Sequence, residues 1–205
     1  MIKKTLFLYM SVLILILAIV NIVSAQGLVS IEVVLRIDGN FEEWKRIKPL
    51  AEDSIVDVDE KEAVNFSKVW AVLLGKNLYI SYCCVKRLDN WGTEAFKYNV
   101  FIDVDNNTQT GYRGWDGSWA LGADYLLQGG TIFKFAGHSP RSWSWIKKGL
   151  QEYGIKANWA EIKIPLSVMD IVQVAEMKIL FYGDNIKQID YVPDDYANEA
   201  LTITR

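Results

Sequence analysis

The stretch Val69-Trp70-Ala71-Val72-Leu73-Leu74, Gly75-Lys76-Asn77, Leu78-Tyr79-Ile80-Ser81-Tyr82-Cys83-Cys84-Val85 decides the fold class. Two short apolar runs, rich in β-branched and aromatic side chains, flank a turn cluster that opens on glycine. Runs this short, bounded by turn residues, read as strands rather than helices, so the stretch predicts a β-hairpin with a short turn.

The pattern recurs toward the C-terminus. Tyr98-Asn99-Val100-Phe101-Ile102-Asp103 predicts another strand. Residues 122–128 and 131–136 predict a second hairpin, turned at Gly129-Gly130. Ala160, Ile162 and Ile164 alternate with Glu161 and Lys163, which predicts a strand with one wet face that Pro165 stops. Residues 177–182 and 201–204 complete the set, and short helical turns fit only residues 41–44 and 167–171. Strands of this length between turn clusters predict an all-β sandwich or barrel. Internal repeats and linker-like tracts are absent, so residues 26–205 read as a single domain.

The N-terminus bears on compartment. Lys3 and Lys4 precede a largely apolar, uncharged run over residues 6–20, and Val23-Ser24-Ala25 offers the small residues a signal peptidase reads. Residues 1–25 are therefore expected to be a signal peptide cleaved after Ala25. The alternative is an uncleaved membrane anchor, because the run is only slightly shorter than the ~20 residues that span a bilayer. Either way the remainder is expected to be secreted or held at the extracytoplasmic cell surface. Losing the two lysines takes the formal net charge from −3 to about −5. Mild acidity with scattered signs argues against a nucleic-acid partner and suits a cation or a neutral ligand. The chain's two cysteines, Cys83 and Cys84, are neighbours on a strand and point to opposite faces, so they read as small apolar side chains rather than a disulfide.

The sharpest local signal is Asp103-Val104-Asp105-Asn106-Asn107-Thr108-Gln109-Thr110-Gly111. Oxygen side chains at alternate positions after a strand end can converge on a hard cation, and Asp103, Asp105 and Asn107 supply three ligands compactly. The glycine and closing glutamate of a helix–loop–helix calcium loop are replaced here by Thr108 and Gly114. Further ligands must then come from elsewhere, with Asp124, Asp116 and backbone carbonyls as candidates. The plain alternative is a polar turn whose Asp and Asn side chains satisfy their own backbone. Asn65-Phe66-Ser67 and Asn106-Asn107-Thr108 are glycosylation-type sequons, and a sugar on Asn106 would compete with an ion.

Aromatics are the second signal. The chain carries eight Trp and ten Tyr, and Trp91, Trp115, Trp119, Trp143 and Trp145 fall where turns are expected. Exposed aromatic planes stack on the C–H faces of sugar rings, while neighbouring Asp, Asn, Gln and Arg bond the hydroxyls. Trp44, Trp70 and Trp159 are assigned to the core, and one or two of the loop set are expected to be exposed. Catalysis finds little support: the single histidine, His138, sits in an ordinary Gly-His-Ser-Pro turn. Glu42, Glu43, Asp116, Asp124 and Glu161 include no carboxylate pair that the sequence singles out for glycoside hydrolysis.

With these residues in view, the chain resembles the family-nine carbohydrate-binding modules and their relatives in the DOMON-like β-sandwich group. The resemblance is carried by Ile37-Asp38-Gly39-Asn40-Phe41-Glu42-Glu43-Trp44, Leu78-Tyr79-Ile80, residues 101–112, Gly122-Ala123-Asp124-Tyr125, Glu161-Ile162-Lys163-Ile164-Pro165-Leu166-Ser167, and residues 181–185 with 190–194. It implies a two-sheet antiparallel β-sandwich, immunoglobulin-like or jelly-roll-like, with bound calcium and a sugar held between two tryptophans. Trp91 falls where one family tryptophan sits. The second has no match after Trp159, so either Tyr182 or Tyr191 takes its place or the sugar site is lost.

The expectation is thus a non-catalytic, calcium-stabilised domain that binds a polysaccharide or oligosaccharide on loop tryptophans. One alternative is an envelope-surface domain that binds proteins and no small ligand. The other is a haem-binding electron carrier of the DOMON kind, with His138 and Met169 or Met177 as axial ligands. No haem is expected, because a single turn histidine is normally structural.

Overall fold

Alternating burial along the strands builds two faces, and in this protein the outer face of each sheet is also partly covered. The computed structural model describes residues 34–53, 64–88, 97–184 and 189–205. Its strands are β1 (Ala51–Glu52), β2 (Phe66–Leu74), β3 (Asn77–Cys84), β4 (Tyr98–Asp103), β5 (Tyr125–Gln128) and β6 (Thr131–Phe135). β7 (Trp145–Leu150), β8 (Glu152–Lys156), β9 (Trp159–Pro165), β10 (Glu176–Asp184), β11 (Ile189–Val192) and β12 (Leu201–Thr204) follow. Short 3-10 turns lie at Trp44–Arg46 and Leu166–Met169. The expected signal segment and Trp91 lie outside the described residues. Among the described residues no helix is long and apolar enough to cross a membrane.

The strands form a sandwich of two antiparallel sheets. The first runs β1-β2-β3-β9-β8. The second runs β11-β10-β4-β5-β6-β7, and β12 shares the outer edge of β10 with β11. Between the sheets lies the main core. Val69, Ile80, Tyr82 and Ile162 from the first sheet meet Val100, Ile102, Leu127, Ile179 and Phe181 from the second. A bulge at Ser67 sets two residues of β2 against one of β3, which lets Phe66 and Val69 face the core despite their odd spacing. Gly129 and Gly130 both take positive φ in the two-residue turn between β5 and β6, the requirement that the sequence signalled.

Four strands go beyond the sequence expectation. β1, β7, β8 and β11 are short or lack clean alternation, and β1, β7 and β8 are edge strands that bury little. A strand starting at Gly122 is corrected: β5 begins at Tyr125. Ala123 instead forms an isolated bridge with Tyr112, and the Gly122 N–H is given to the Asp103 carboxylate.

The N-terminal segment covers the outer face of the first sheet. Glu161, fully buried, accepts the Gly39 N–H at 2.6 Å and the Trp44 indole N–H at 3.3 Å. Trp159 stacks on Trp70 at 5.0 Å and lies against Phe41. Trp44 and Trp70 are buried, as expected of core residues, while Trp159 is half-buried on this outer layer.

The outer face of the second sheet carries a second apolar cluster. Phe101, Leu126 and Leu180 lie side by side on β4, β5 and β10 beneath Tyr112, Trp119 and Leu121. This explains why all six residues of β4 are buried: the strand is sandwiched on both sides.

Candidate functional site

The site grows out of the outward-facing residues of β4, which are Asn99, Phe101 and Asp103. Side chains on one face of a strand stand roughly 7 Å apart. Asn99 and Phe101 thus floor a hollow, and Asp103 anchors a loop at its side.

The loop, residues 104–124, leaves β4 and returns to β5 over the sheet face. Its two stems are tied reciprocally. Asp103 Oδ2 accepts the Gly122 N–H at 3.0 Å, and Asp124 Oδ2 accepts the Val104 N–H at 2.9 Å. Where the stems cross, only glycine fits: a Cβ on Gly122 would lie 2.0 Å from the Thr110 carbonyl oxygen, and one on Gly111 2.4 Å from the Gly122 backbone. Beyond the crossing, Tyr112 and Ala123 exchange N–H···O bonds of 2.9 and 2.8 Å. Arg113 Nε donates to the Trp119 carbonyl at 3.0 Å, and the Ala120 N–H donates to the Tyr196 carbonyl at 2.9 Å. These bonds seat Tyr112 and Trp119 on Phe101, whose ring centroid is 4.7 Å from that of Trp119.

The result is a cavity of about 440 Å³ on the outer face of the second sheet. Its aromatic lining comprises Phe101, Tyr112, Trp115, Trp119, Trp143 and Tyr182. Its polar lining comprises Asn99, Gln128 and Asp184. Tyr182, Asn99 and Gln128 stand in one row across β10, β4 and β5. Gln128 Nε2 donates to Asn99 Oδ1 at 2.7 Å, and the Tyr182 hydroxyl donates to Asp184 Oδ2 at 2.9 Å. Burial and the Asp184 carboxylate raise the Tyr182 hydroxyl well above the usual phenol range, so it stays a neutral donor. A second hollow of about 280 Å³ adjoins the first and shares Gln128 and Trp143 with it.

The candidate tryptophans take different places. Trp115 and Trp143 are 73% and 57% exposed and stand at the cavity mouth. Trp119 lines the cavity as a buried wall, only 2% exposed, because the loop folds it onto Phe101 and Tyr112. Trp145 is corrected from a turn to the first residue of β7, half-buried against Phe135 and lining the second hollow. Tyr182 lines the cavity, while Tyr191 packs behind it at 5.2 Å and stacks on Tyr196 at 3.8 Å. The sequence reading missed Phe101, Tyr112, Asn99, Gln128 and Asp184, and the outward half of β4 was the signal available for two of them.

Asp103, Asp105 and Asp124 converge beside this cavity, with one carboxylate oxygen from each lying within 4.8 Å of the others. Asp103 is fully buried, and its Oδ1 has no hydrogen-bond partner. Burial pushes Asp124 up to about 6, and the Asp105 and Asp103 charges add to the shift that the Val104 N–H partly offsets. Burial likewise raises Asp103, against the Gly122 N–H. A buried carboxylate with one unpartnered oxygen, clustered with two further carboxylates, fits a hard divalent cation, with backbone carbonyls or water completing the shell. Asn107, expected as a ligand, accepts the Gln109 N–H on its Oδ1 at 3.0 Å at the loop tip. Asp116 caps the Ser118 N–H at 2.9 Å within its own turn.

The remaining candidates are dispersed. His138 is exposed on the segment between β6 and β7, whereas Met169 and Met177 are buried in the main core. Among the described residues the cavity lining includes no histidine or methionine. Glu42 is exposed and ion-paired with Lys45. No family model, curated protein or solved structure matches this chain.

Proposed function

We propose that the protein is an exported, non-catalytic carbohydrate-binding domain whose ligand lies in the cavity on the outer face of the second sheet. The observation that carries the reading is the composition of that cavity. Six aromatic rings offer faces and edges for sugar C–H groups, and two amides and a carboxylate stand among them for hydroxyls. Two of the rings, Trp115 and Trp143, are exposed at the mouth, where a soluble domain gains nothing from leaving indoles in water unless they meet something. Among the described residues the lining carries no cation, which suits a neutral ligand better than an anionic one.

A non-catalytic role is supported by the carboxylate count. Among the described residues Asp184 is the one carboxylate lining the cavity, and ordinary glycoside cleavage takes a pair. Asp103, Asp105 and Asp124 are read as a calcium site that holds the base of the 104–124 loop. Extracellular modules bind calcium at ~10⁻⁴–10⁻³ M, so the ion would brace the loop wherever free calcium reaches that range.

The test is a titration of intrinsic tryptophan fluorescence with cellohexaose, xylohexaose and other neutral oligosaccharides in millimolar calcium. Saturable quenching by one of them, lost in Trp143→Ala, is the expected result. No response to any of them from a folded protein removes the reading. A protein partner is then the second reading, favoured by β7, which ends its sheet among the described residues and exposes Ile146 and Leu150.

A further inference from the structure

We propose that cation occupancy of the Asp103–Asp105–Asp124 cluster sets the order of the cavity's aromatic wall, so that cation and ligand bind cooperatively. The cluster sits where the two stems of one loop cross, and that loop supplies Tyr112, Trp115 and Trp119 to the cavity. Asp103 and Asp124 each hold the opposite stem through one oxygen, which leaves Asp103 Oδ1 buried without a hydrogen-bond partner within a cluster of three carboxylates. Asp105 extends the clamp into the loop, taking the Asn107 N–H at 2.9 Å and the Thr110 hydroxyl at 3.0 Å. Thr110 is in turn pressed against Gly122 at the crossing, and Tyr112 follows two residues later with its bridge to Ala123.

Without a cation, three carboxylates crowd the base of the loop, and their repulsion works against the stem crossing. With a divalent cation between them, the same charges draw the stems together and fix the register that seats Tyr112 and Trp119 on Phe101. The loop therefore has a reason to be ordered in one state and loosened in the other, and the cavity wall moves with it. Linkage makes the effect reciprocal: whatever factor the cation adds to ligand affinity, the ligand adds to cation affinity. The inference rests on the carbohydrate reading only for the choice of ligand probe.

Amide hydrogen exchange, followed with calcium chloride and after chelation, decides it. A brace confined to the cluster protects only the amides bound there, those of Val104, Asn107 and Gly122. The proposal requires that protection extend to the Tyr112, Trp119 and Ala120 amides, whose acceptors lie outside the cluster. Protection at those three amides should rise on the order of tenfold or more with calcium, and Asp105→Asn, at an exposed position, should weaken that gain. If calcium binds while those three amides exchange at the same rate as in chelator, the proposal is overturned. In a second arm, cellohexaose affinity should rise by about 5- to 150-fold on adding calcium, the usual span of such couplings. Equal, measurable affinity in both conditions also overturns it. Absence of cellohexaose binding in both conditions counts against the carbohydrate reading, and the exchange result alone then decides the coupling.

Discussion

Asp103 and Asp124 exchange partners across the base of one loop, Asp103 accepting the Gly122 N–H and Asp124 the Val104 N–H. Each carboxylate thus pins the strand stem next to the other. The arrangement places two, and with Asp105 three, negative charges within 4.8 Å of one another at the shoulder of an aromatic cavity.

Calcium should stabilise the protein measurably. For a dissociation constant of ~10⁻⁴–10⁻³ M, about 10 mM calcium adds roughly 1.5–3 kcal/mol to the native state. In a domain of this size that raises the melting temperature by several degrees, about 2–4 °C per kcal/mol. Asp103→Asn keeps an acceptor for the Gly122 N–H but should abolish the calcium response. Identical melting of the wild type in calcium and in chelator would remove the cation site.

The metal-free protein should lose stability as pH rises toward neutrality. Folded Asp124 holds its proton up to about pH 6, against 3.8 for the ordinary group. Between those values the folded state binds more protons than the unfolded chain, so stability falls as pH climbs from about 4 to 6. Asp103 and Glu161, also raised by burial, act in the same direction. Solvent screening at this part-exposed site holds the Asp124 contribution below the roughly 3 kcal/mol that the full shift would give at about 1.36 kcal/mol per pH unit. Melting curves of metal-free protein from pH 4.5 to 7.5 should show the decline, and Asp124→Asn should flatten it. A steady rise over that range contradicts the assignment.

Exposure separates the tryptophans by consequence. Trp115→Ala and Trp143→Ala remove rings that are mostly in water, so each should leave the melting temperature within a few degrees of wild type while weakening oligosaccharide binding about tenfold or more. Trp119→Ala empties a buried space against Phe101 and should cost about 3–5 kcal/mol in chemical denaturation. A Trp143→Ala variant that binds as wild type would take that residue out of the site.

Glu161 offers a carboxylate whose role is structural. Its two oxygens take the Gly39 and Trp44 N–H groups, fastening the N-terminal segment to the first sheet. Glu161→Ala leaves the buried Trp44 donor and the part-buried Gly39 donor without an acceptor and should cost about 2–4 kcal/mol. Glu161→Gln keeps one acceptor oxygen and should cost less. Equal losses from the two variants would mean that packing, not hydrogen bonding, sets the contribution of this residue.

Much of the sandwich was legible because strand alternation is a local signal. The hairpin of residues 66–84 and the Gly129-Gly130 turn declare themselves through burial period and backbone requirement. The edge strands β7 and β8 stay hidden, since Ile146-Lys147-Lys148-Gly149-Leu150 has no apolar face to bury. Half of the site was equally legible. Asp103, Asp105 and Asp124 could be grouped from oxygen spacing and a nearby acidic strand, and Trp115, Trp119 and Trp143 from turn context. The floor could not be: Asn99 and Phe101 look like ordinary strand residues until the 104–124 loop folds back over them.

The most direct measurement is calorimetric titration of the calcium-loaded protein with neutral oligosaccharides, repeated on Trp143→Ala. The account predicts one-site binding of at least one oligosaccharide to the wild type and its loss, at unchanged melting temperature, in the variant. Binding that survives Trp143→Ala unchanged, or no binding of any neutral oligosaccharide by the folded wild type, would contradict it.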